Sequence, residues 1–192
     1  ILLENIRFDL REKQNSSDFT KELSVLADMY VNDAFSVSHR EHASVSGITK
    51  EIPAYAGPLL SNEVSVLSKL NKNTKEPFVV IMGGLKVQTK MPVIKNFEKQ
   101  ASNVLIGGAL ANTFFAAEGL EIGRSVFDEL GIDEAKNAIS HLGKKLILPI
   151  DVVVVRSLRK DAKLEVKAPD SLNKTDRIVD IGPKTRVLYK SI

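Results

Sequence analysis

The chain has 192 residues, 43% of them hydrophobic and 27% charged, as in a globular protein of one ordinary or two small domains. It has no cysteine, which excludes a disulfide framework and thiolate metal ligands. The net charge of +3 is small and the basic residues are dispersed, which disfavours general nucleic-acid binding. The longest apolar run, residues 146–155, is broken by Pro149 and Asp151, so no membrane span is predicted. Neither end looks like a natural terminus, and we expect an internal fragment.

Short β-branched runs alternate with helical patterns, which predicts βαβ units around parallel sheets. The predicted strands are residues 1–4, 29–32, 78–82, 103–106, 145–148, 152–155 and 178–180. The predicted helices are residues 18–27, 58–71, 90–100, 109–118 and 132–142, with another starting at Gly182-Pro183. Residues 78–82 are all apolar, so we expect this strand to be buried on both faces.

Three segments interrupt these elements. Residues 53–57 begin with proline and end with glycine and predict a break, residues 71–77 are polar and end in proline, and residues 39–47 are typical of a polar loop. The helix predicted at 58–71 lies between two α/β series. The chain is therefore expected to hold parts of two domains joined by this helix, an arrangement that suits hinge motion.

A glycine-rich segment, residues 83–90, follows the apolar strand and opens a helix. Ligands bind at strand ends in parallel sheets, glycines let N–H groups approach a phosphate, and a helix N-terminus favours anions. Lys86 and Lys90 lie near that terminus, where the helix dipole disfavours their charge unless an anion is bound. The alternative is a tight turn with surface lysines, and the segment does not have the P-loop pattern.

Two further glycine turns follow predicted strands. Gly107-Gly108 leads into the helix at 109–118, and Gly182-Pro183 starts the last helix. The turns at Gly83-Gly84 and Gly107-Gly108 could form one wall of a crevice, and the N–H groups of the helix that starts at Gly182-Pro183 could face that cleft. Each turn taken alone is equally compatible with a purely structural role.

Basic side chains follow strand ends in the first third of the chain. Arg7 and Arg40 could bind a carboxylate or phosphate through their guanidinium donors, with a surface salt bridge as the alternative. His39 and His42 lack a third ligand in their loop, so no metal site is predicted. His141 lies in a predicted helix and is expected at the surface.

In their order along the chain, these motifs resemble those of the phosphoglycerate kinases. Residues 2–8 resemble the family's L-L-E-N-x-R-F, and residues 31–44 resemble its V-N-D-A-F-G-x-x-H-R-x-H-A-S. Residues 83–90 match G-G-x-K-V-x-x-K, and residues 106–114 resemble I-G-G-G-x-A-N-T-F. Residues 56–60, 148–152 and 180–183 also fit the family. The collinear order over the whole length argues against a chance similarity.

The resemblance implies a Rossmann-like, three-layer α/β fold with parallel sheets and reversible phosphoryl transfer between 1,3-bisphosphoglycerate and Mg-ADP, giving 3-phosphoglycerate and ATP. It also implies a cytoplasmic glycolytic enzyme, monomeric at full length, with no nucleic-acid or membrane partner. Residues 1–57 would belong to the glycerate-binding domain, residues 58–73 to the interdomain helix and residues 74–192 to the nucleotide-binding domain.

The matched motifs imply roles for single residues. The glycerate would be bound by Arg7, His39 and Arg40. The catalytic residues would be Arg7, Lys86 and Lys90. The nucleotide would contact Gly84, Leu85, Lys86, Lys90 and Gly108. Phosphoryl transfer depends on positioning and charge neutralisation, which two arginines and two lysines suit.

The sequence departs from the family pattern at four matched positions. Leu85 replaces a small residue, Thr89 an aspartate common in the family, Ala109 a third glycine, and Ser36 a glycine, which suggests a divergent bacterial branch. The motifs R-x-D-x-N, S-H-x-G-R-P, W-N-G-P-x-G-x-F-E and G-G-G-D-[ST] are absent. The last two complete the family's nucleotide and magnesium sites, so we expect no magnesium ligand in this chain and little or no kinase activity from it alone.

Two alternatives stay open at this point. One is a non-catalytic nucleotide-binding or scaffold remnant of the same fold. The other is a basic nucleic-acid-binding domain, which only the isoelectric point of about 9.0 suggests. Aromatic residues make up just 6% of the chain and form no visible stacking platform, which disfavours the second alternative.

Overall fold

A computed structural model describes residues 2–72 and 75–192. The chain forms two compact units, Ile1–Thr74 and Lys75–Ile192. The predicted boundary between residues 73 and 74 lies outside the described residues, as does Ile1 at the start of the first predicted strand. The assignment of three segments to substrate domains and a connecting helix stays a prediction.

The helices and turns of the described residues belong to both units. The α-helices are α1 (Leu10–Lys13), α2 (Ser17–Ser24), α3 (Pro58–Lys72), α4 (Val87–Phe97), α5 (Gly108–Ala117), α6 (Ile132–Leu142) and α7 (Pro183–Ser191). Turns of 3-10 helix are Ile6–Phe8, Phe35–Val37, Ile48–Lys50, Glu129–Gly131, Gly143–Lys145 and Pro169–Ser171, and Ala43–Gly47 is a π-helical turn. None of the described helices is long and apolar enough to pass through a bilayer.

The strands form one small sheet in the first unit and two in the second. They are β1 (Tyr30–Asn32), β2 (Ala54–Ala56), β3 (Val79–Met82), β4 (Asn103–Ile106), β5 (Leu146–Ile147), β6 (Val152–Val155), β7 (Glu165–Lys167) and β8 (Arg177–Ile181). Strands β1 and β2 pair in parallel, and β3, β4 and β5 form a parallel sheet in that order. The α/β fold with parallel sheets is therefore confirmed. Strands β7, β6 and β8 form an additional antiparallel sheet.

Several predicted elements are confirmed and others are wrong. The helix at 132–142 and the strands at 103–106 and 152–155 have the predicted bounds. Residues 2–5 contain no strand and lead instead into a 3-10 turn, where the Asn5 side chain accepts a hydrogen bond from Arg7 N at 3.1 Å. The break predicted at residues 53–57 contains strand β2 instead. Pro53 lies immediately before this strand, where its missing N–H group is tolerated.

Two more corrections concern the start of the second unit. Helix α4 begins at Val87, three residues before the predicted start, so Pro92 lies in its interior and not in its first turn. The strand predicted to be buried on both faces is an edge strand, in which Val80 is buried and Ile81 is 73% exposed. The described residues cover only one face of this strand.

The core of the second unit is built around α5 and β4. Helix α5 is apolar on nearly all sides, as expected of a helix surrounded by protein, and Phe114 and Phe115 are fully buried. Strand β4 contributes Val104 and Ile106, and buried residues of α4, α6 and β6 also belong to the cluster. This packing fixes the start of α5 next to the ends of the parallel strands.

A buried carboxylate organises the first unit. Glu12 is only 1% exposed and accepts hydrogen bonds from Ser44 N at 2.9 Å and Ser44 Oγ at 2.7 Å. The Nδ1 atom of His42 lies 3.5 Å from Glu12 Oε1. Residues 42–44 belong to the segment 39–47, which was predicted as a polar loop. They are instead tied to α1, because a buried carboxylate requires donors around it.

Aspartates from other segments cap three of the helices. The Asp33 carboxylate accepts from Leu59 N at 2.7 Å at the start of α3, and Asp128 accepts from Val87 N at 2.9 Å at the start of α4. At the start of α7, Asp151 accepts from Thr185 N at 2.7 Å. Each carboxylate satisfies N–H groups that have no partner within the helix.

Thr185 forms a dense hydrogen-bonded cluster with the Asp151 segment. Its fully buried Oγ1 accepts from Ile150 N at 3.0 Å and from Asp151 N at 3.1 Å, and donates to Asp151 Oδ1 at 2.7 Å. Burial by itself would raise the pKa of Asp151, but the bonds from Thr185 and Lys184 N outweigh it and lower that pKa.

Asp176 is a second buried carboxylate in this unit. It forms an ion pair with Lys167 Nζ at 2.7 Å and accepts from Asn173 N at 2.9 Å. Burial acts to raise the pKa of Asp176, but the hydrogen bonds from Lys167 and Asn173 lower it overall.

We expect Thr185→Val to lower the free energy of unfolding of the second unit by about 1–3 kcal/mol, because the N–H groups of Ile150 and Asp151 lose their acceptor. Urea denaturation followed by circular dichroism measures the change. Thr175→Val, at an exposed threonine of the same unit, is the matched control. Equal effects of the two substitutions would contradict the structural role of Thr185.

Acid should destabilise the second unit. The folded-state pKa values of Asp151 and Asp176 lie below the ordinary 3.8, so their stabilisation is present above that pH and is lost as the pH falls through the folded-state values. Urea unfolding at about pH 6 and about pH 3 should show a lower midpoint at the lower pH. Asp151→Asn should reduce this difference, and an equal difference in the variant would contradict the assignment to Asp151.

Candidate functional site

Two glycine turns meet at the carboxyl edge of the parallel sheet. Gly84 follows β3 with φ of 122°, and Gly108 follows β4 with φ of 63°, both in the region that favours glycine. A Cβ atom on Gly108 would lie 3.6 Å from Gly84 N. The two turns are in contact because β3 and β4 are neighbours in parallel register.

The predicted lysines lie beside these turns. Lys90, in the first turns of α4, is half-buried. Its side chain lies against Gly84, because a Cβ atom added to this glycine would be 3.3 Å from Lys90 Cε. Lys86 is exposed at the N-cap position of α4. In the described residues neither lysine forms an ion pair. The structure thus brings together Gly84, Lys90 and Gly108, with Leu85 and Lys86 in the same turn.

A cavity of about 210 Å³ adjoins Gly108. Its walls come from the start of α5, from the loop that follows α5 and from β8, and they include Gly108, Ala109, Val126 and Val179. The walls are mainly apolar, and α5 starts there at Gly107-Gly108 without a side-chain acceptor as its cap. The cavity can hold a flat apolar group beside free N–H donors.

Sequence reasoning missed two walls of this cavity. Val126 lies in an irregular segment, where no periodicity could single it out. Val179 lies in β8, which was predicted as a strand but not as part of a site. The motifs at residues 106–114 and 180–183 did point toward this region, since Gly108, Ala109, Asp180 and Ile181 also line the cavity.

The predicted glycerate-binding residues are exposed in the first unit. Arg7 lies in the 3-10 turn that ends at Phe8, and His39 and Arg40 lie in the segment before the π-helical turn. No hydrogen bond or ion pair joins Arg7 to His39 or Arg40 among the residues described. The structure leaves all three side chains accessible but does not bring them into one contact group.

The titratable side chains do not suggest a metal centre. Within residues 2–72 and 75–192, no group of three or more His, Asp or Glu side chains is placed to hold an ion. His141 lies at the surface, as predicted, with Nε2 at 2.8 Å from Glu98 Oε1.

The sequence model of the phosphoglycerate kinase family matches residues 1–192. A protein named phosphoglycerate kinase from Dictyoglomus turgidum is 44% identical to the chain over 193 residues, and one from Chlorobium phaeobacteroides is 42% identical over 195 residues. These alignments cover 99% and 100% of this chain and 49% of each relative.

Two solved structures carry the same name. The phosphoglycerate kinase from Coxiella burnetii has a TM-score of 0.79 at 37% identity, and that from Pyrococcus horikoshii has 0.83 at 26% identity. The matches cover 100% and 98% of this chain and 50% and 51% of those chains, so the chain spans about half the length of these relatives. Because the family's sequence model matches it from end to end, the chain belongs to the phosphoglycerate kinase family.

Proposed function

We propose that the chain serves reversible phosphoryl transfer between 1,3-bisphosphoglycerate and ADP, giving 3-phosphoglycerate and ATP. This is the reaction of a phosphotransferase with a carboxyl group as acceptor. The second unit binds the nucleotide, and the first unit binds the glycerate. The observation that carries the proposal is the contact of Gly84, Lys90 and Gly108 at one edge of the parallel sheet.

The cavity beside Gly108 suits the base of the nucleotide. Its walls are mainly apolar, as a planar aromatic ring requires. The glycine turns allow the ribose and phosphates to pass close to the backbone, because no side chain projects from Gly84 or Gly108. The phosphates would then lie near the starts of α4 and α5, where helix dipoles favour negative charge.

The two lysines at α4 support the same assignment. Lys86 and Lys90 place positive charge at the positive end of the helix dipole, an unfavourable arrangement in the absence of an anion. Bound phosphates offset this repulsion. In the proposed reaction a carboxylate oxygen of 3-phosphoglycerate attacks the γ-phosphorus of ATP, and the bond to the β-phosphate oxygen breaks. The lysines would neutralise the charge on the phosphoryl oxygens.

Exposed side chains of the first unit that carry hydrogen-bond donors support glycerate binding. Arg7, His39 and Arg40 carry donors that are accessible to an anion, and a guanidinium group can pair with a carboxylate or phosphate through two parallel bonds. Arg7 is assigned a second role, the neutralisation of the transferring group. This role rests on the family resemblance of residues 2–8.

Mg²⁺ would enter with the nucleotide phosphates, as it commonly does in phosphoryl transfer. Among the described residues no group of three or more His, Asp or Glu side chains is placed to hold the ion, so its remaining ligands would be phosphate oxygens and water. We also infer a cytoplasmic glycolytic role and a monomeric state for the whole protein, from the family resemblance.

We expect Lys90→Ala to raise the Kd of the chain for ADP by about 10- to 100-fold, the effect of losing a charged hydrogen bond to phosphate. Isothermal titration calorimetry with ADP measures this. Lys99→Ala removes an exposed lysine of the same unit and should leave the Kd unchanged. If both variants bind ADP as tightly as the unmodified chain, Lys90 does not contact the nucleotide.

The chain on its own should show little or no kinase turnover, because motifs that complete the family's nucleotide and magnesium sites are absent from it. A coupled assay with ATP, Mg²⁺ and 3-phosphoglycerate tests this. Normal turnover by the chain alone would contradict the prediction.

The same assay on a protein that joins this chain to the missing motifs should show strong activity that Lys90→Ala abolishes. A folded but inactive protein would favour the non-catalytic remnant.

A further inference from the structure

Helix α7 is attached to the parallel sheet at two points. Near its start, Thr185 is bonded to the segment that follows β5. One turn later, the hydroxyl of Tyr189 donates to the carbonyl oxygen of Ile106 at 2.7 Å and lies 3.0 Å from that of Ile147. Ile106 and Ile147 are the last residues of β4 and β5, so this one hydroxyl bridges the ends of two neighbouring strands.

The bridge lies directly behind the glycine turn of the nucleotide site. Ile106 immediately precedes Gly107-Gly108, and Gly108 contacts both Gly84 and the cavity. The other side of the turn is close to β8, because a Cβ atom on Gly107 would lie 3.9 Å from Ile181 Cγ2. The turn therefore lies between Tyr189 of α7, which bonds to Ile106, and Ile181 of β8, which is close to Gly107.

The chemistry of the hydroxyl suits a permanent bridge. Tyr189 is half-buried, and burial raises its pKa to about 12, although the bond to the Ile106 carbonyl acts in the opposite direction. The hydroxyl consequently keeps its proton throughout the neutral pH range and stays a donor. Without this hydroxyl, the carbonyl of the fully buried Ile106 would lose a donor, and the carbonyl of the half-buried Ile147 would lose a polar neighbour.

We propose that Tyr189 is a positioning residue for the nucleotide site, which sets the place of Gly107-Gly108 by bridging the Ile106 and Ile147 carbonyls. The inference rests on the proposed function of the second unit. Without the bridge, the end of β4 gains freedom, and the N–H groups and the cavity wall at Gly108 lose their alignment to the nucleotide.

The test is Tyr189→Phe in the 192-residue chain, which removes the hydroxyl and keeps the ring. We expect the Kd for ADP, measured by calorimetry, to rise about fivefold, the effect of one hydrogen bond of ordinary strength. Tyr55→Phe is the matched control, since Tyr55 is 60% exposed in β2 of the first unit. An unchanged ADP affinity in Tyr189→Phe would overturn the inference.

Hydrogen exchange separates positioning from general stability. Faster amide exchange in Tyr189→Phe confined to residues 104–108 and 146–148 supports the inference, even if the variant is somewhat less stable. A uniform increase over the second unit marks Tyr189 as a purely structural residue and overturns it. If the unmodified chain does not bind ADP at all, the proposed nucleotide site itself fails, and this result is distinct from either outcome for Tyr189.

Discussion

The N–H groups at the start of a helix need acceptors, and much of this structure follows from how they find them. Asp33, Asp128 and Asp151 reach helices α3, α4 and α7 from other parts of the chain. Each bond joins a helix start to a distant part of the chain and satisfies an N–H group that has no partner within the helix. The carboxylates also leave no room for a side chain beside them, because a Cβ atom on Gly57 would collide with Asp33 and one on Gly182 with Asp151. Only glycine fits at these two positions.

At the candidate site such compensation is incomplete. Helix α5 begins at Gly107-Gly108 without a side-chain cap, and Lys86 and Lys90 add positive charge at the start of α4. Asp128 offsets part of this charge through its bond to Val87 N. An anion near the starts of α4 and α5 would neutralise the lysine charge and accept hydrogen bonds from the N–H groups of α5. The proposed binding of a nucleotide is therefore supported by electrostatics as well as by the shape of the cavity.

The departures from the family pattern differ in their consequences for this site. Ala109 lines the cavity, so its methyl group lies against the proposed position of the base. Leu85 is 40% exposed in the turn beside Lys86 and is not one of the cavity's lining residues. Thr89 is exposed on the first turn of α4, where its hydroxyl bonds to the Lys86 carbonyl. Among Leu85, Thr89 and Ala109, it is therefore Ala109 that lines this cavity.

The sequence by itself determined the family, the α/β class and the longer elements, because periodicity and motif order are local properties of the chain. Helix α6 and strands β4 and β6 have the predicted bounds for this reason.

The tertiary structure decided the rest. Strands β2 and β7 are only three residues long, too short to show a periodic pattern, so only pairing with a neighbour reveals them. The burial of Glu12 and the Tyr189 bridge depend on bonds between residues far apart in the chain, such as Tyr189 and Ile106. Such bonds leave no periodic trace, because each partner is a single residue whose environment is created only when the elements pack.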